Sequence, residues 1–95
     1  MKKYEIMYIL NASLDEETRK GVMNKLQTLI ESLHGKVLET KEWGSRDLAS
    51  PINKQTKGYY VILKANLDNA GLNEFNRVIK LDNNVLRHLV TVAVD

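Results

Sequence analysis

The sequence predicts an α+β fold with the element order βαββαβ. Four segments read as β-strands, three of them with alternating side chains, and two segments carry apolar residues at helical spacing. Each helical segment lies between two of the strands. Two right-handed βαβ halves of this kind form a four-stranded antiparallel sheet with both helices on one face, which is the ferredoxin-like architecture. With 95 residues, the chain is expected to form a single domain over residues 1–95.

The first strand is predicted over residues 4–10. One of its faces is wholly apolar or aromatic and is expected to point to the core: Tyr4, Ile6, Tyr8 and Leu10. The other face is mixed and is expected to be partly exposed to water: Lys3, Glu5, Met7 and Ile9.

The first helix is predicted to begin at a capping box. Ser13 and Glu16 have the spacing at which each side chain bonds the backbone amide of the other. The acidic residues 15–17 suit the positive end of the helix dipole. An apolar stripe then follows on one helical face: Val22, Leu26, Leu29, Ile30 and Leu33. Gly35 is expected to be the C-cap.

Residues 36–43 predict the second strand, and residues 44–53 are predicted to be irregular, although they contain several apolar side chains. Gly58 opens the third strand, over residues 59–65. Asp68 or Asn69 is expected to cap a shorter second helix. A turn at residues 82–84 precedes the last strand, over residues 85–94.

The face of the sheet that the helices leave uncovered is predicted to bind a partner. The side chains expected on it are Met7, Ile9, Tyr60, Ile62, Arg87 and Leu89. This set is too apolar to be left wholly to water.

No set of residues in the sequence predicts catalysis. His34 and His88 are far apart, there is no cysteine, and no His-Glu-x-x-His spacing occurs. The five glycines are isolated, so they form no phosphate-binding loop. We therefore expect a protein that is not an enzyme and has no metal or cofactor.

Charge and hydropathy indicate a cytoplasmic protein with a modest basic surface. The net charge of +2 is too small to indicate nucleic-acid binding by itself, but residues 46–64 carry four basic side chains against one acidic one. The apolar run at residues 6–10 is shorter than the about 7–15 residues of a signal peptide, and much shorter than a membrane span.

Two other functions of this fold are compatible with these residue patterns. Residues 57–61 begin like the longer signature of the RNA-recognition motif, but Tyr8 and Tyr59 fall on the predicted core face, where they cannot stack on bases. The other alternative is a small-molecule-binding regulatory domain of the same fold.

Residues 43–54 and 58–60 resemble the bacterial ribosomal protein S6 family. The family pattern is tryptophan or leucine, glycine, any residue, arginine, any residue, leucine-alanine-tyrosine, any residue, isoleucine, with lysine and glycine-tyrosine downstream. Residues 4–10 and 82–88 also resemble the family, so the similarity covers essentially the whole chain. The chain departs from the pattern at Ser50, where tyrosine is usual, and at Asp47, where a basic residue is common.

The resemblance implies a small-subunit ribosomal protein that binds the central domain of small-subunit rRNA together with ribosomal protein S18. The candidate RNA contacts, from the resemblance and the basic segment, are Lys2, Lys3, Arg46, Lys54, Lys57 and Arg87. The candidate contacts with the partner protein are Trp43, Leu48, Ile52 and Tyr60. An alternative for the apolar residues of this segment is that they close the core beneath a loop.

Overall fold

The computed structural model describes residues 2–52 and 54–93 and confirms the predicted architecture. Its elements are β1 (Lys2–Asn11), α1 (Glu16–Ser32), β2 (Lys36–Ile52), β3 (Gln55–Leu67), α2 (Asn69–Leu81) and β4 (Val85–Val92). The strands form one sheet in the order β2-β3-β1-β4, and each neighbouring pair is antiparallel. This is the ferredoxin-like βαββαβ fold.

The core lies between the sheet and the two helices. Alternate residues of β1 and β3 share this core with one face of α1 and of α2. The four residues of β1 predicted to face the core are all buried there: Tyr4, Ile6, Tyr8 and Leu10. The helices contribute Val22, Met23, Leu26, Ile30, Phe75 and Ile79. The alternation in sequence therefore identified the covered face of β1 correctly.

The predicted capping box of α1 is wrong. The N-cap is Asp15, whose side chain accepts a hydrogen bond of 2.7 Å from the Thr18 amide. Ser13 instead donates from its amide and its hydroxyl to Asn11 Oδ1, at 3.0 and 2.8 Å. Oδ1 of Asn11 thus accepts both hydrogen bonds from Ser13, and the side chain of Asp15 caps the helix instead.

The C-terminus of α1 also differs from its prediction. Leu33 is the C-cap, and His34, not Gly35, takes the left-handed backbone conformation, with φ of 64°. The Gly35 amide then donates to the carbonyl of Ile30 at 2.9 Å, as in a Schellman-type ending. Gly35 is required for a different reason, since a Cβ there would lie 2.5 Å from the carbonyl oxygen of Asn66.

Strand β2 is much longer than predicted, because it continues from residue 43 to Ile52. Its pairing with β3 shifts register at Leu38 and again at Trp43, and each shift adds one residue to β2. Both of these large apolar side chains are exposed. Since each β-bulge interrupts the alternation of side chains, the pattern beyond Trp43 looked irregular in the sequence.

The remaining elements follow the predictions more closely. Strand β3 begins at Gln55, earlier than expected, and α2 is capped by Asp68, which accepts from the Gly71 amide. Strand β4 ends at Val92, and the predicted final residue, Val94, lies outside the described residues. Within the described residues, neither helix combines the length and apolar character needed to cross a membrane.

Candidate nucleic-acid and protein interface

One end of the sheet extends into a two-stranded hairpin. Strand β1 ends at Asn11, opposite Gly58 of β3, whereas β2 and β3 continue beyond this point. We call residues 47–57 the hairpin arm. Four of the predicted site residues lie on it: Leu48, Ile52, Lys54 and Lys57. Because an isolated two-stranded hairpin is marginally stable in water, the direction of the arm depends on how its root is held.

Packing around Gly58 holds the root on the open face of the sheet. A Cβ at Gly58 would collide with Cγ2 of Ile9 and lie 3.2 Å from Cδ2 of Leu48. The side chain of Ile9, from β1, and that of Leu48, from the arm, thus occupy the space that the glycine leaves open. The missing side chain of Gly58 lets the arm pack against the centre of the sheet.

The open face carries an apolar patch at its centre. The strand registers align Tyr60 with Ile9 in one row across the sheet, and Ile62 with Met7 and Leu89 in the next. We call Met7, Ile9, Tyr60, Ile62 and Leu89 the open-face patch. Ile9 and Ile62 are only 5% and 6% exposed, although they face away from the core that the helices cover.

The prediction that this face of β1 is partly wet therefore needs correction at Ile9. Large side chains on the neighbouring strands shield the central isoleucines, so the exposed apolar surface moves to the edge of the patch. There, on β4, Leu89 is 56% exposed. An exposed leucine beside two shielded isoleucines suits contact with another molecule.

A row of polar side chains bounds the open-face patch on the side away from the arm. Lys64 and Lys41 place their Nζ atoms 3.6 and 3.5 Å from the carboxylate of Glu39. Thr91 donates from its hydroxyl to the backbone carbonyl of Glu5 at 3.4 Å. Both lysines on this side are thus paired with a carboxylate, which weakens their attraction for a polyanion.

Two arginines flank the open-face patch on the side of the arm. Arg87, on the edge strand β4, is opposite Ile9, and Arg46, on the edge strand β2, is opposite Gly58. Both side chains are exposed and belong to the open face. With strands spaced about 4.8 Å apart, the two lie about 14 Å apart across the sheet, a distance that one RNA strand can span.

Three of the four candidate partner contacts lie at the same end of the open face, whereas Ile52 is opposite Gln55, on the other face of the hairpin near its tip. Trp43 is 52% exposed, and the guanidinium carbon of Arg46 lies 5.5 Å from its ring centroid. Leu48 packs over Gly58, and Tyr60 lies in the open-face patch. Since Trp43 is half exposed and stands outside the core cluster, it does not close the core beneath a loop.

Of the other predicted RNA contacts, Lys54 lies at the same end of the molecule as these two arginines, whereas the remaining three lysines lie elsewhere or on another face. Lys54 lies at the tip of the arm with a left-handed φ of 66°, and Lys57 lies opposite Asp47 on the other face of the hairpin from Arg46. Lys2 and Lys3 are at the far end of β1, about 30 Å along the strand from the root of the arm. The six residues therefore do not form one contiguous site.

On the helix-covered face, the root of the arm meets a cluster that the sequence did not reveal. Arg19, on α1, places its guanidinium carbon 4.2 Å from the ring centroid of Tyr59 on β3. The Tyr59 hydroxyl donates to Oε1 of Glu42 on β2 at 2.9 Å. Burial, and then this hydrogen bond to Glu42, raise the pKa of Tyr59. No sequence signal pairs positions 19, 42 and 59, because the contact depends on the sheet register.

Two further polar groups lie on the covered face, away from the arm. The Tyr8 hydroxyl is buried without a hydrogen-bond partner in the part of the chain that the structure describes, and burial raises the pKa of Tyr8. His88 Nε2 lies 3.1 Å from Oδ1 of Asn76, and burial, followed by the nearby charge of Lys80, lowers the pKa of His88.

These positions disfavour the alternative based on the RNA-recognition motif. Tyr8 and Tyr59 belong to the helix-covered face, as their parity predicted, so neither ring is presented on the open face for stacking. Within residues 2–52 and 54–93, no group of three or more histidine, cysteine, aspartate or glutamate residues is arranged to hold a metal ion.

Comparisons with known proteins bear on the family and the fold of the chain. A family model described as Ribosomal protein S6 matches residues 3–91. The crystal structure of 30S ribosomal protein S6 from Thermotoga maritima superposes with a TM-score of 0.91 at 24% sequence identity, over 97% of this chain and 87% of that one. The structural likeness shows the shared fold, and the family model spans nearly the whole chain. The protein therefore belongs to the ribosomal protein S6 family, whose members are non-enzymatic constituents of the small ribosomal subunit.

Proposed function

We propose that this chain, acting in the cytoplasm as a single domain, binds the central domain of small-subunit rRNA jointly with ribosomal protein S18. The observation that carries the proposal is the pairing of two features at one end of the open face. Arg46 and Arg87 stand on opposite edges of the sheet, and the open-face patch lies between them. Basic edges suit a phosphate backbone, and an apolar centre suits a protein surface.

In this proposal the basic side chains position the RNA. Arg46, Arg87 and Lys54 are the primary contacts, because they lie at the arm end of the molecule and are exposed. Contacts to phosphate supply salt-sensitive affinity and fix the register on the RNA, but they do not read its sequence. Lys57 faces the other side of the hairpin, and Lys2 and Lys3 reach only a stretch of RNA about 30 Å away. These three lysines are secondary contacts.

The partner protein covers apolar side chains in the same proposal. Trp43, Leu48 and Tyr60 supply an aromatic and aliphatic surface that runs from the root of the arm to the open-face patch, and Ile52, on the other face of the hairpin, is a secondary contact. Aromatic residues are enriched at the energetic centre of protein interfaces. Burial of the exposed parts of Trp43 and Leu89 in one contact would stabilise the complex through the hydrophobic effect.

Filter binding to central-domain rRNA, with the partner protein present, tests the proposal. Arg87→Ala is expected to weaken binding about three- to tenfold at moderate salt, and to reduce the slope of log affinity against log salt by about 0.7–0.9. The fold should be intact, because Arg87 is exposed. For a total of about four phosphate contacts, the wild-type slope is expected near −3 to −4.

Arg77→Ala is the matched control. It removes an exposed arginine on α2 whose guanidinium binds Glu74, and it lies on the side of the sheet that the helices cover. This variant is expected to bind rRNA as the wild type does. If Arg87→Ala keeps both the wild-type affinity and the wild-type salt slope, Arg87 is not part of the RNA-binding site.

A further inference from the structure

From the contacts at the root of the hairpin arm, we infer that Arg19, Tyr59 and Glu42 form a positioning cluster that fixes the arm against α1 and so presents its basic and apolar side chains to RNA and the partner. This inference rests on the proposed function for its binding consequence. The mechanical part concerns the free protein alone.

The cluster consists of side chains from three separate elements. Arg19 belongs to the first turn of α1, Glu42 to β2 and Tyr59 to β3, so the cluster joins one helix to both strands of the hairpin. The guanidinium lies over the Tyr59 ring at 4.2 Å, and the hydroxyl of the same ring donates to Glu42 at 2.9 Å. One tyrosine thus connects the helix to the neighbouring strand.

The cluster lies where the arm joins the rest of the sheet. Tyr59 is next to Gly58, which pairs with Asn11 at the end of β1, where the arm joins the sheet. Glu42 directly precedes the β-bulge at Trp43, and Gly44 follows it with a φ of +89°. The cluster is therefore beside both the root and the bulge, where a small change in backbone direction moves the arm most.

The environment of Arg19 favours its contact with the Tyr59 ring. Its Nε is buried and finds no hydrogen-bond partner among residues 2–52 and 54–93. A guanidinium that has lost water at Nε, and gains no hydrogen bond there, relies on its contact with the ring. Cation–π contacts are stronger when the cation is desolvated. Arg19 is thus held by Tyr59 and, in turn, restrains the strand that carries it.

Separate contacts hold the two faces of the root. On the open face, Ile9 and Leu48 fill the space above Gly58, and on the covered face Arg19 packs on Tyr59. A two-stranded extension is marginal by itself, so restraint from both faces gives it one direction. If the covered-face restraint is lost, the arm remains attached but is less well oriented.

Amide hydrogen exchange of the free protein tests the mechanical part. In Arg19→Gln, the amides of residues 44–47 and 55–58 are expected to exchange about three- to tenfold faster than in the wild type, while core amides of β1 keep their rates. Tyr59→Phe keeps the ring for Arg19 and loses only the hydroxyl, so it should show the same pattern with a smaller increase. This second variant keeps the test valid if Arg19→Gln folds poorly.

Arg77→Gln is the matched control for charge and residue type. It makes the same change at an exposed arginine of α2 that pairs with Glu74, so arm exchange is expected at the wild-type rate. If Arg19→Gln also leaves arm exchange at the wild-type rate, the positioning cluster is refuted.

Filter binding with rRNA and the partner protein tests the consequence. Arg19→Gln is expected to weaken affinity about three- to tenfold with an unchanged salt slope, because no phosphate contact is removed. A slope reduced as in Arg87→Ala would make Arg19 a direct contact and overturn the positioning role. Faster arm exchange with wild-type affinity would also overturn it. If the wild type itself does not bind rRNA, the proposed function fails, and the exchange rates alone decide whether the cluster orients the arm.

Discussion

The helix-covered face of the sheet and the hairpin arm differ in what holds their residues in place. On the covered face, alternate side chains of β1 and β3 are buried beneath two helices, and many neighbours restrain each of them. On the arm, only two strands pair. There, between Asp47 and Ile52, four residues of β2 stand opposite a single residue of β3.

Stability therefore depends mainly on the covered face, and the predicted binding contacts depend more on the arm. Apolar burial stabilises the covered face, and its loss unfolds the whole chain. The arm contributes little burial, yet it carries four of the ten predicted site residues. Segments with few buried contacts open locally at lower free energy, so changes in the arm are expected to affect binding before they affect folding.

The largest loss of stability is expected from a substitution in the core of the covered face. Phe75 is fully buried between α2 and the sheet. Phe75→Ala should lower the free energy of unfolding by about 3–5 kcal/mol, because it removes the ring and leaves a cavity. In the arm, Leu48→Ala should cost about 1 kcal/mol or less, because Leu48 is only partly buried.

Urea denaturation of both variants measures this contrast. Leu81→Ala, at an exposed leucine at the end of α2, is a suitable control and should change the free energy of unfolding by less than about 0.5 kcal/mol. Equal losses for Phe75→Ala and Leu48→Ala would show that the arm is part of the folding core, contrary to the comparison.

A smaller effect is expected at the root, where the two regions meet. Gly58→Ala places a methyl group against Ile9 and Leu48, and should destabilise the protein by about 1–3 kcal/mol. Gly21→Ala is the matched control, because no atom lies within 4 Å of a Cβ at this exposed helical position. It should stabilise the protein by about 0.5–1 kcal/mol.

Thermal or urea unfolding of these two variants gives the sign of each change, and hydrogen exchange shows where it acts. For Gly58→Ala, the amides of the arm should be affected more than those of α1. A stabilising Gly58→Ala would mean that Ile9 and Leu48 do not occupy the space above the glycine in solution.

The smallest expected effect is a pH dependence that belongs to the covered face. Burial and Lys80 hold the pKa of His88 below its ordinary value in the folded state. As pH falls through about 6.5, the unfolded chain takes up a proton that the folded chain resists, so the free energy of unfolding decreases. The stabilisation from neutral His88 is present above that pH and is lost below it.

Urea unfolding at about pH 7.5 and about pH 5.5, for the wild type and His88→Gln, isolates this contribution. The variant keeps a side chain able to bond Asn76 but has no titrating group, so it should lose less stability than the wild type on acidification. The same loss in both proteins would contradict the assignment to His88.

The covered face could be predicted from the sequence because burial on one side imposes a strict alternation. Tyr4 to Leu10 shows this period of two, and the stripe from Val22 to Leu33 shows the helical period. Caps were less predictable, since Asn11, Ser13 and Asp15 all offer suitable oxygens, and the competition between them is settled by local geometry.

The candidate site was less predictable for a physical reason. The resemblance supplied Arg46 and Arg87, but it gave no information about distance, so Lys2 and Lys3 were grouped with residues about 30 Å away. The cluster at Arg19 was missed because its three members come from separate elements that only the sheet register brings together.

The β-bulge at Trp43 has a consequence for how this surface can change over time. Before the bulge, odd-numbered residues of β2 such as Lys41 lie on the open face, and after it the even-numbered Arg46 does. If Trp43 paired with Tyr60 in a regular ladder and the bulge were lost, Arg46 would turn to the covered face and Asp47 to the open face. The charge presented by this edge thus depends on the bulge as well as on residue identity, so a shift of pairing register alone can reverse it without any substitution.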